Sequence, residues 1–162
     1  MKTTNLYLII VSLVALLASN AIAAAWTGSM SEPENMKKID GKSFYVITTA
    51  DELAWFAAQV NGGKSTINAV LANHIVFGKD NSTRCPTKWT PIGKDPSHKF
   101  VGILDGAGYT IYGIYVDSIP VAGIVGVLGS GGVVRNLRTN SGYIGGSFRV
   151  GGFVAHNDGV IQ

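Results

Sequence analysis

A glycine-punctuated pattern of short apolar runs repeats between Phe100 and Gln162, and it constrains the fold more than any other feature. The two clearest copies are Ala122–Gly126, closed by Gly131–Asn136, and Gly151–Ala155, closed by Asp158–Gln162. Gly123 and Gly152 occupy equivalent places in the two copies, and the second copy is slightly shorter between its landmarks. A degenerate repeat with a period of about 20 to 50 residues and strand-like composition is typical of a solenoid.

The same segment is poor in charge. It carries only six charged residues but 15 of the 21 glycines, and no Lys follows Lys99. We expect it to be buried by stacking of successive coils. If Gly113 marks a corner or a bulge, the apolar side chains around it, Ile111, Ile114 and Val116, point inward.

The N-terminus predicts export. Lys2 precedes an apolar run from Leu6 to Ala18, and Ala21-Ile22-Ala23 supplies a small-residue cleavage site, so we assign 1–23 as a signal peptide. The alternative is a membrane anchor, but the run is shorter than the roughly 20 residues that span a bilayer. We therefore expect a secreted or cell-surface protein with no membrane span after signal removal.

The mature chain divides into three parts: a polar lead-in at 24–43, a capping helix and first coil or coils with a long loop at 44–99, and the repeats at 100–162. The helix begins after Thr49, where Glu52 completes a capping box, and it ends at Asn61-Gly62-Gly63. We interpret it as an N-terminal cap, because the open first coil of a solenoid exposes strand edges that pair with other chains.

Several segments together resemble the N-terminal region of bacterial secreted proteins that carry the GLUG motif. They are, in order, Thr48–Ala57, Trp89–Gly93, Phe100–Val116 and Gly151–Ile161, the last with Ala155 where Gly is usual and His156 before the Asn. The resemblance implies a mainly β fold, a right-handed parallel β-helix with an N-terminal capping α-helix, on an adhesin-like exported protein. Such regions also occur beside peptidase or carbohydrate-active domains.

Family members usually continue through further repeats, so we expect the repeat region to be truncated at its C-terminus. An open last coil predicts self-association. The motif contributes no catalytic residue, and we predict no enzymatic activity, no metal site and no cofactor. His74, His98 and His156 lack metal-ligand spacing, and Asp95, Asp105 and Asp158 lie in turn contexts, where carboxylates satisfy backbone donors.

The candidate ligand-binding residues are Tyr112 and Tyr115, which point outward if their apolar neighbours point inward. Exposed aromatic rings on a flat β surface stack on sugars. The alternative is packing under the 78–99 loop. The predicted partner is an extracellular polysaccharide or a host or cell-surface ligand. Without the leader, 12 basic residues face 10 acidic ones with no basic stripe, so nucleic acid is not expected.

We therefore expect an exported structural or adhesin-like β-helix module without catalytic activity of its own. Two alternatives stay open. One is the N-terminal non-catalytic part of a secreted carbohydrate-active enzyme or peptidase, and the other is a carbohydrate-binding module.

Overall fold

The computed structural model describes residues 24–162, and the predicted signal peptide at 1–23 lies outside that range. The fold is mainly β, as predicted. The described strands are β1 Met36–Ile39, β2 Lys42–Ile47, β3 Asn68–Leu71, β4 Ile75–Val76, β5 Ile103–Asp105, β6 Thr110–Tyr112, β7 Tyr115–Ala122, β8 Val125–Leu128, β9 Val133–Arg135, β10 Arg138–Asn140, β11 Tyr143–Val150, β12 Val154–Asn157 and β13 Val160–Ile161. Helix α1 is Ala50–Asn61, and a 3-10 helix covers Pro96–His98.

Strands one repeat apart pair in parallel. The register partners are Ile103 with Val133, Thr110 with Arg138, Tyr115 with Tyr143, and Val125 with Val154, so each strand pairs with its counterpart in the next copy of the repeat. The described strands form four separate sheets, of six, three, two and two strands, rather than one closed wall. Each passage of the chain from β5 to β8 is followed by an equivalent passage from β9 to β12, and we call each passage a coil.

The corner predicted at Gly113 is present. Gly113 has a φ of +70° and separates β6 from β7, which belong to different sheets. Ile111, Ile114 and Val116 are fully buried, as the pattern predicts. A positive φ is accessible to glycine without a Cβ penalty, so the chain turns here while consecutive apolar side chains stay in the core.

Helix α1 forms where the sequence predicts it. The Thr49 side chain accepts from the Glu52 amide, and the Glu52 carboxylate accepts from the Thr49 amide at 3.1 Å. The buried face carries Leu53, Phe56 and Val60, all at 0% exposure. Burial of each such side chain contributes roughly 1.5 to 3 kcal/mol, so packing holds the helix more strongly than its cap does.

Helix α1 packs against the apolar core. The Phe56 ring meets the Phe100 ring edge-to-face at 5.8 Å between centroids. Strand β2, which leads into α1, pairs in parallel with β3, and its other edge is covered by the antiparallel strand β1. The first parallel strand therefore has no free edge.

Three local features differ from the sequence prediction or extend it. The polar lead-in contains β1, joined to β2 by a turn at Asp40-Gly41 with φ values of +49° and +77°. The apolar stretch after α1 forms two strands, β3 and β4, because the chain turns between them. The 78–99 loop returns to the core through Trp89, which is only 3% exposed.

The last coil is the most exposed part of the repeat region. Phe148 is 73% exposed and Val150 50% exposed, whereas β8 in the previous coil is fully buried. Strands β10, β11, β12 and β13 each lie at the end of their sheet. Within residues 24–162, no helix has the length and apolar character that crossing a membrane requires.

Candidate functional site

The two tyrosines predicted to bind a ligand lie on different sheets and in separate aromatic clusters. Tyr112 ends β6, and its ring lies 5.7 Å from that of His74. Tyr115 begins β7, and its ring lies 5.8 Å from that of Tyr143 in the next coil. Both predicted residues are partly buried. The corner at Gly113 thus separates two rings that lie close together in sequence.

Residues of the 78–99 loop cover Tyr115. The Arg84 guanidinium carbon lies 4.2 Å from the Tyr115 ring centroid, and the Lys88 ammonium lies 6.0 Å from it. The Tyr115 hydroxyl donates to Asp117 at 3.2 Å. This is the packing arrangement that the sequence left open as the alternative. Tyr143, 48% exposed, presents more surface to solvent than either predicted tyrosine.

The carboxylates predicted to lie in turns satisfy local donors in two cases out of three. Asp95 accepts from the Ser97 and His98 amides, and Asp105 accepts from the Ala107 amide. Asp158 instead meets His156 Nε2 at 3.0 Å, and this contact is the main cause that lowers its pKa. The three carboxylates have different partners and form no common acid–base pair.

His74 and Cys85 each form a hydrogen bond with a backbone group. His74 Nδ1 accepts from the Thr110 amide at 3.1 Å. Cys85 is fully buried and donates from Sγ to the Trp26 carbonyl at 3.2 Å. Within residues 24–162, no group of three or more His, Cys, Asp or Glu side chains is arranged to hold a metal ion.

One concavity is a groove that the sequence did not predict, and we call it the α1 groove. Its volume is about 490 Å³. Three chain segments line it: the lead-in from Trp26 to Met30, one face of α1 from Ala54 to Gly62, and the loop from Thr87 to Lys94. This volume falls within the roughly 300 to 1,000 Å³ of small-ligand sites.

Aromatic rings fix one side of the α1 groove. Trp89 donates from its indole nitrogen to the Ile124 carbonyl at 3.1 Å, and Trp26 donates to the Ser29 carbonyl at 2.9 Å. The Trp26 ring also packs edge-to-face on Phe77 at 5.1 Å. Both indoles are therefore held in one orientation before any ligand arrives.

The sequence carries a partial indication of this groove. Ala54, Ala57 and Ala58 recur at helical spacing, which leaves a shallow stripe on α1 where larger side chains would fill the space. Trp26 lies in a polar segment, where a large aromatic residue is unexpected. Neither observation places the two segments next to each other, because β1 and β2 separate them in the chain.

Comparison with known proteins finds partial relatives. The chain is 38% identical over 79 residues to a protein of Evansella cellulosilytica named "Putative Gly-rich membrane protein", a match that covers 46% of this chain and 9% of the relative. It is 39% identical over 96 residues to Halomucin of Haloquadratum walsbyi, which covers 54% of this chain and 1% of the relative. No family model and no solved structure matches. The chain thus spans less than a tenth of the length of these relatives.

Proposed function

We propose that this chain forms the capped N-terminal part of a right-handed parallel β-helix and acts as an exported, non-catalytic structural or adhesin-like module. The observation that supports the proposal is that each of the four sheets contains a parallel pair of strands from equivalent places in successive copies of the repeat. Such pairing follows when equivalent coils stack along one axis.

The position of α1 supports its role as a cap. Its buried face lies against the same apolar core that the coils enclose, which includes Phe100 and Leu104. Together with β1, it covers the end at which the parallel stack begins. A solenoid requires such a terminal element for solubility, because an uncovered end leaves apolar side chains and strand edges in water.

Export is supported by the leader-like sequence and by the name "Putative Gly-rich membrane protein" of one relative. The chain has one cysteine, so no disulfide bond within the chain can stabilise the glycine-rich coils. A secreted domain without disulfide bridges has to draw its stability from burial and from backbone ladders. The stacking of successive coils provides both the burial and the backbone hydrogen bonds.

Two experiments test the proposal. The full chain with a C-terminal epitope tag is expressed in bacteria, and the cytoplasmic, surface and medium fractions are probed. We expect the epitope outside the cytoplasm. Leu13→Arg, which interrupts the apolar run, should retain it inside, whereas the matched change Thr27→Arg should not. Cytoplasmic retention of the parent chain contradicts export.

The second experiment tests the fold. Val133→Cys and Val160→Cys, introduced together with Cys85→Ser, place cysteines at partner positions of β9 and β13. Oxidation should join them within one chain, whereas Val133→Cys paired with a cysteine at Lys37 should not react. The stacking is contradicted if the cysteines at Val133 and Val160 do not cross-link while those at Val133 and Lys37 do. Hydrolysis of polysaccharide or peptide substrates by the pure protein would overturn the non-catalytic assignment.

A further inference from the structure

The composition of the α1 groove indicates what it binds. Its walls are mainly apolar and aromatic, and Met30 at its rim is 58% exposed. A concave surface with apolar and aromatic walls is the usual setting of a small-ligand site, and Met30 extends this apolar surface at the rim. The ligand must therefore offer an apolar face.

The groove also carries two lysines, and one of them has no acidic partner among residues 24–162. Lys88 and Lys94 line it, and among residues 24–162 no Asp or Glu does. Lys88 is engaged with Asp117 at 3.4 Å. Lys94 is exposed and has no carboxylate oxygen within 4.0 Å in the described part of the chain. The neighbouring acid Asp51 accepts a hydrogen bond from the Ser29 hydroxyl and does not line the groove.

The groove also contains polar side chains that can form hydrogen bonds with the hydroxyl groups of a ligand. Thr87 and Thr90 line the groove on the loop side, and Thr90 is exposed. By contrast, Asn61 is used inside the protein, since it donates to the Pro91 carbonyl and accepts from the Lys94 amide. That pair of bonds fixes the loop bearing Lys94 to the end of α1. The backbone from which the exposed Lys94 side chain extends is thus held at the edge of the groove.

We propose that the α1 groove binds an acidic polysaccharide, with a hexuronate ring against Trp26 and Met30 and its carboxylate near Lys94. Pyranose rings combine an apolar C–H face, which stacks on indole, with hydroxyl groups around the edge. A carboxylated sugar adds the charge that complements Lys94. The inference rests on the proposed export in one respect: only an exported protein meets an extracellular polysaccharide. Binding of such a polymer to the purified protein depends only on the groove.

The test uses the full chain and oligogalacturonate of defined length, with a neutral cello-oligosaccharide of equal length for comparison. Binding is followed by calorimetry and by tryptophan fluorescence. Of the three tryptophans, Trp26 and Trp89 line the groove, and Trp55 packs on Tyr45 instead. We expect binding of the acidic oligomer, a fluorescence change that persists in Trp55→Phe, and weakening at high salt.

Two surface variants, Lys94→Glu and Ala58→Glu, test the site without removing core contacts, and each has a matched control. Lys94→Glu should lower affinity roughly 3- to 10-fold, as expected when one exposed attraction becomes a repulsion. Lys37→Glu, the same charge change on β1, should leave affinity unchanged. Ala58→Glu places an acid within the groove and should abolish measurable binding, whereas Gln59→Glu, at the next position but not in the groove lining, should cause a smaller loss.

The results separate this inference from the proposed function. Absence of oligogalacturonate binding, equal binding of the neutral oligomer, or equal losses in Lys94→Glu and Lys37→Glu would each overturn it. Concentration-dependent self-association that Ala58→Glu abolishes would assign the groove to a second copy and would also overturn it. Cytoplasmic retention in the fractionation assay contradicts export and leaves these binding results unaffected.

Discussion

The contact between Asp105 and Arg135 joins two successive coils, and its removal should lower stability measurably. The two residues are register partners on β5 and β9, and Arg135 Nε lies 2.8 Å from Asp105 Oδ2. The Asp105 side chain is 11% exposed and that of Arg135 28% exposed. Asp105 also accepts from the Ala107 amide at 2.9 Å and from Asn136 at 3.2 Å.

This geometry sets the size of the expected loss in the free energy of unfolding. Exposed ion pairs contribute about 0 to 1 kcal/mol, and breaking a fully buried pair costs about 3 to 5 kcal/mol. Asp105 lies between these limits and loses a turn contact as well, so Asp105→Ala should lower the free energy of unfolding by about 2 to 3 kcal/mol. The change in Tm should be roughly 6 to 12 °C for a domain of this size.

A double-mutant cycle with Asp105→Asn and Arg135→Gln, measured by urea unfolding, isolates the pair. We expect a coupling energy of at least about 0.5 kcal/mol, as found for residues in one hydrogen-bonded network. Arg138→Gln is the matched control, since Arg138 is exposed and forms no ion pair among residues 24–162. A coupling energy near zero, or equal effects of the two arginine changes, would refute the reasoning.

The same carboxylate predicts a dependence on pH. Burial opposes ionisation of Asp105, but hydrogen bonds from Ala107, Asn136 and Arg135 and the Arg135 charge together lower its pKa. A pKa lowered by folding stabilises the protein above the unfolded value of about 3.9 and loses that contribution as pH falls through the folded value. The stability difference between the parent chain and Asp105→Asn should therefore be largest near pH 7 and shrink below pH ~4.

Three further predictions concern single positions. Gly113→Ala should lower unfolding free energy by at least about 2 kcal/mol, because its φ is +70° and a Cβ would strike the Thr83 carbonyl oxygen, whereas Gly152→Ala, with open space around it, should cost less than about 1 kcal/mol in urea unfolding. Thr49→Ala should cost about 1 kcal/mol by loss of the capping box, measured in the same way; no change would contradict the cap. Cys85 is fully buried, so a thiol reagent should label it only after unfolding, and rapid labelling of the native chain would contradict its position.

Local patterns predicted the parts of the fold that local chemistry determines. Helix α1 was predictable because its cap and its apolar face are both encoded in one short segment. The corner at Gly113 was predictable because glycine lies between two apolar runs that must both point inward. The parallel pairing was visible only as a degenerate repeat, since the pairing itself joins strands that lie a full repeat apart in the chain.

The missed features depend on contacts between distant segments. Strand β1 has no apolar periodicity, and the local sequence signal of its hairpin is the Asp40-Gly41 dipeptide. In the structure both residues of this turn have positive φ. The α1 groove is assembled from three segments, and no local pattern brings Trp26 beside Ala58. The sequence places Tyr112 and Tyr115 in one candidate site, because it does not show that a corner directs them to different sheets.

The degeneracy of the repeat also has a structural reason. The turn between β8 and β9 spans 129–132, whereas the equivalent turn between β12 and β13 contains only Asp158 and Gly159. The β8–β12 and β9–β13 pairs each keep a constant register, so the difference in length between these two pairs is absorbed at the turn, whereas the β7–β11 pair contains register shifts. Because the shorter turn lies against the longer one, a Cβ on Gly159 would approach the Gly129 carbonyl oxygen at 2.9 Å. Glycine is therefore required where turns of unequal length stack, even without a positive φ, and coil length can vary while the interior stays continuous.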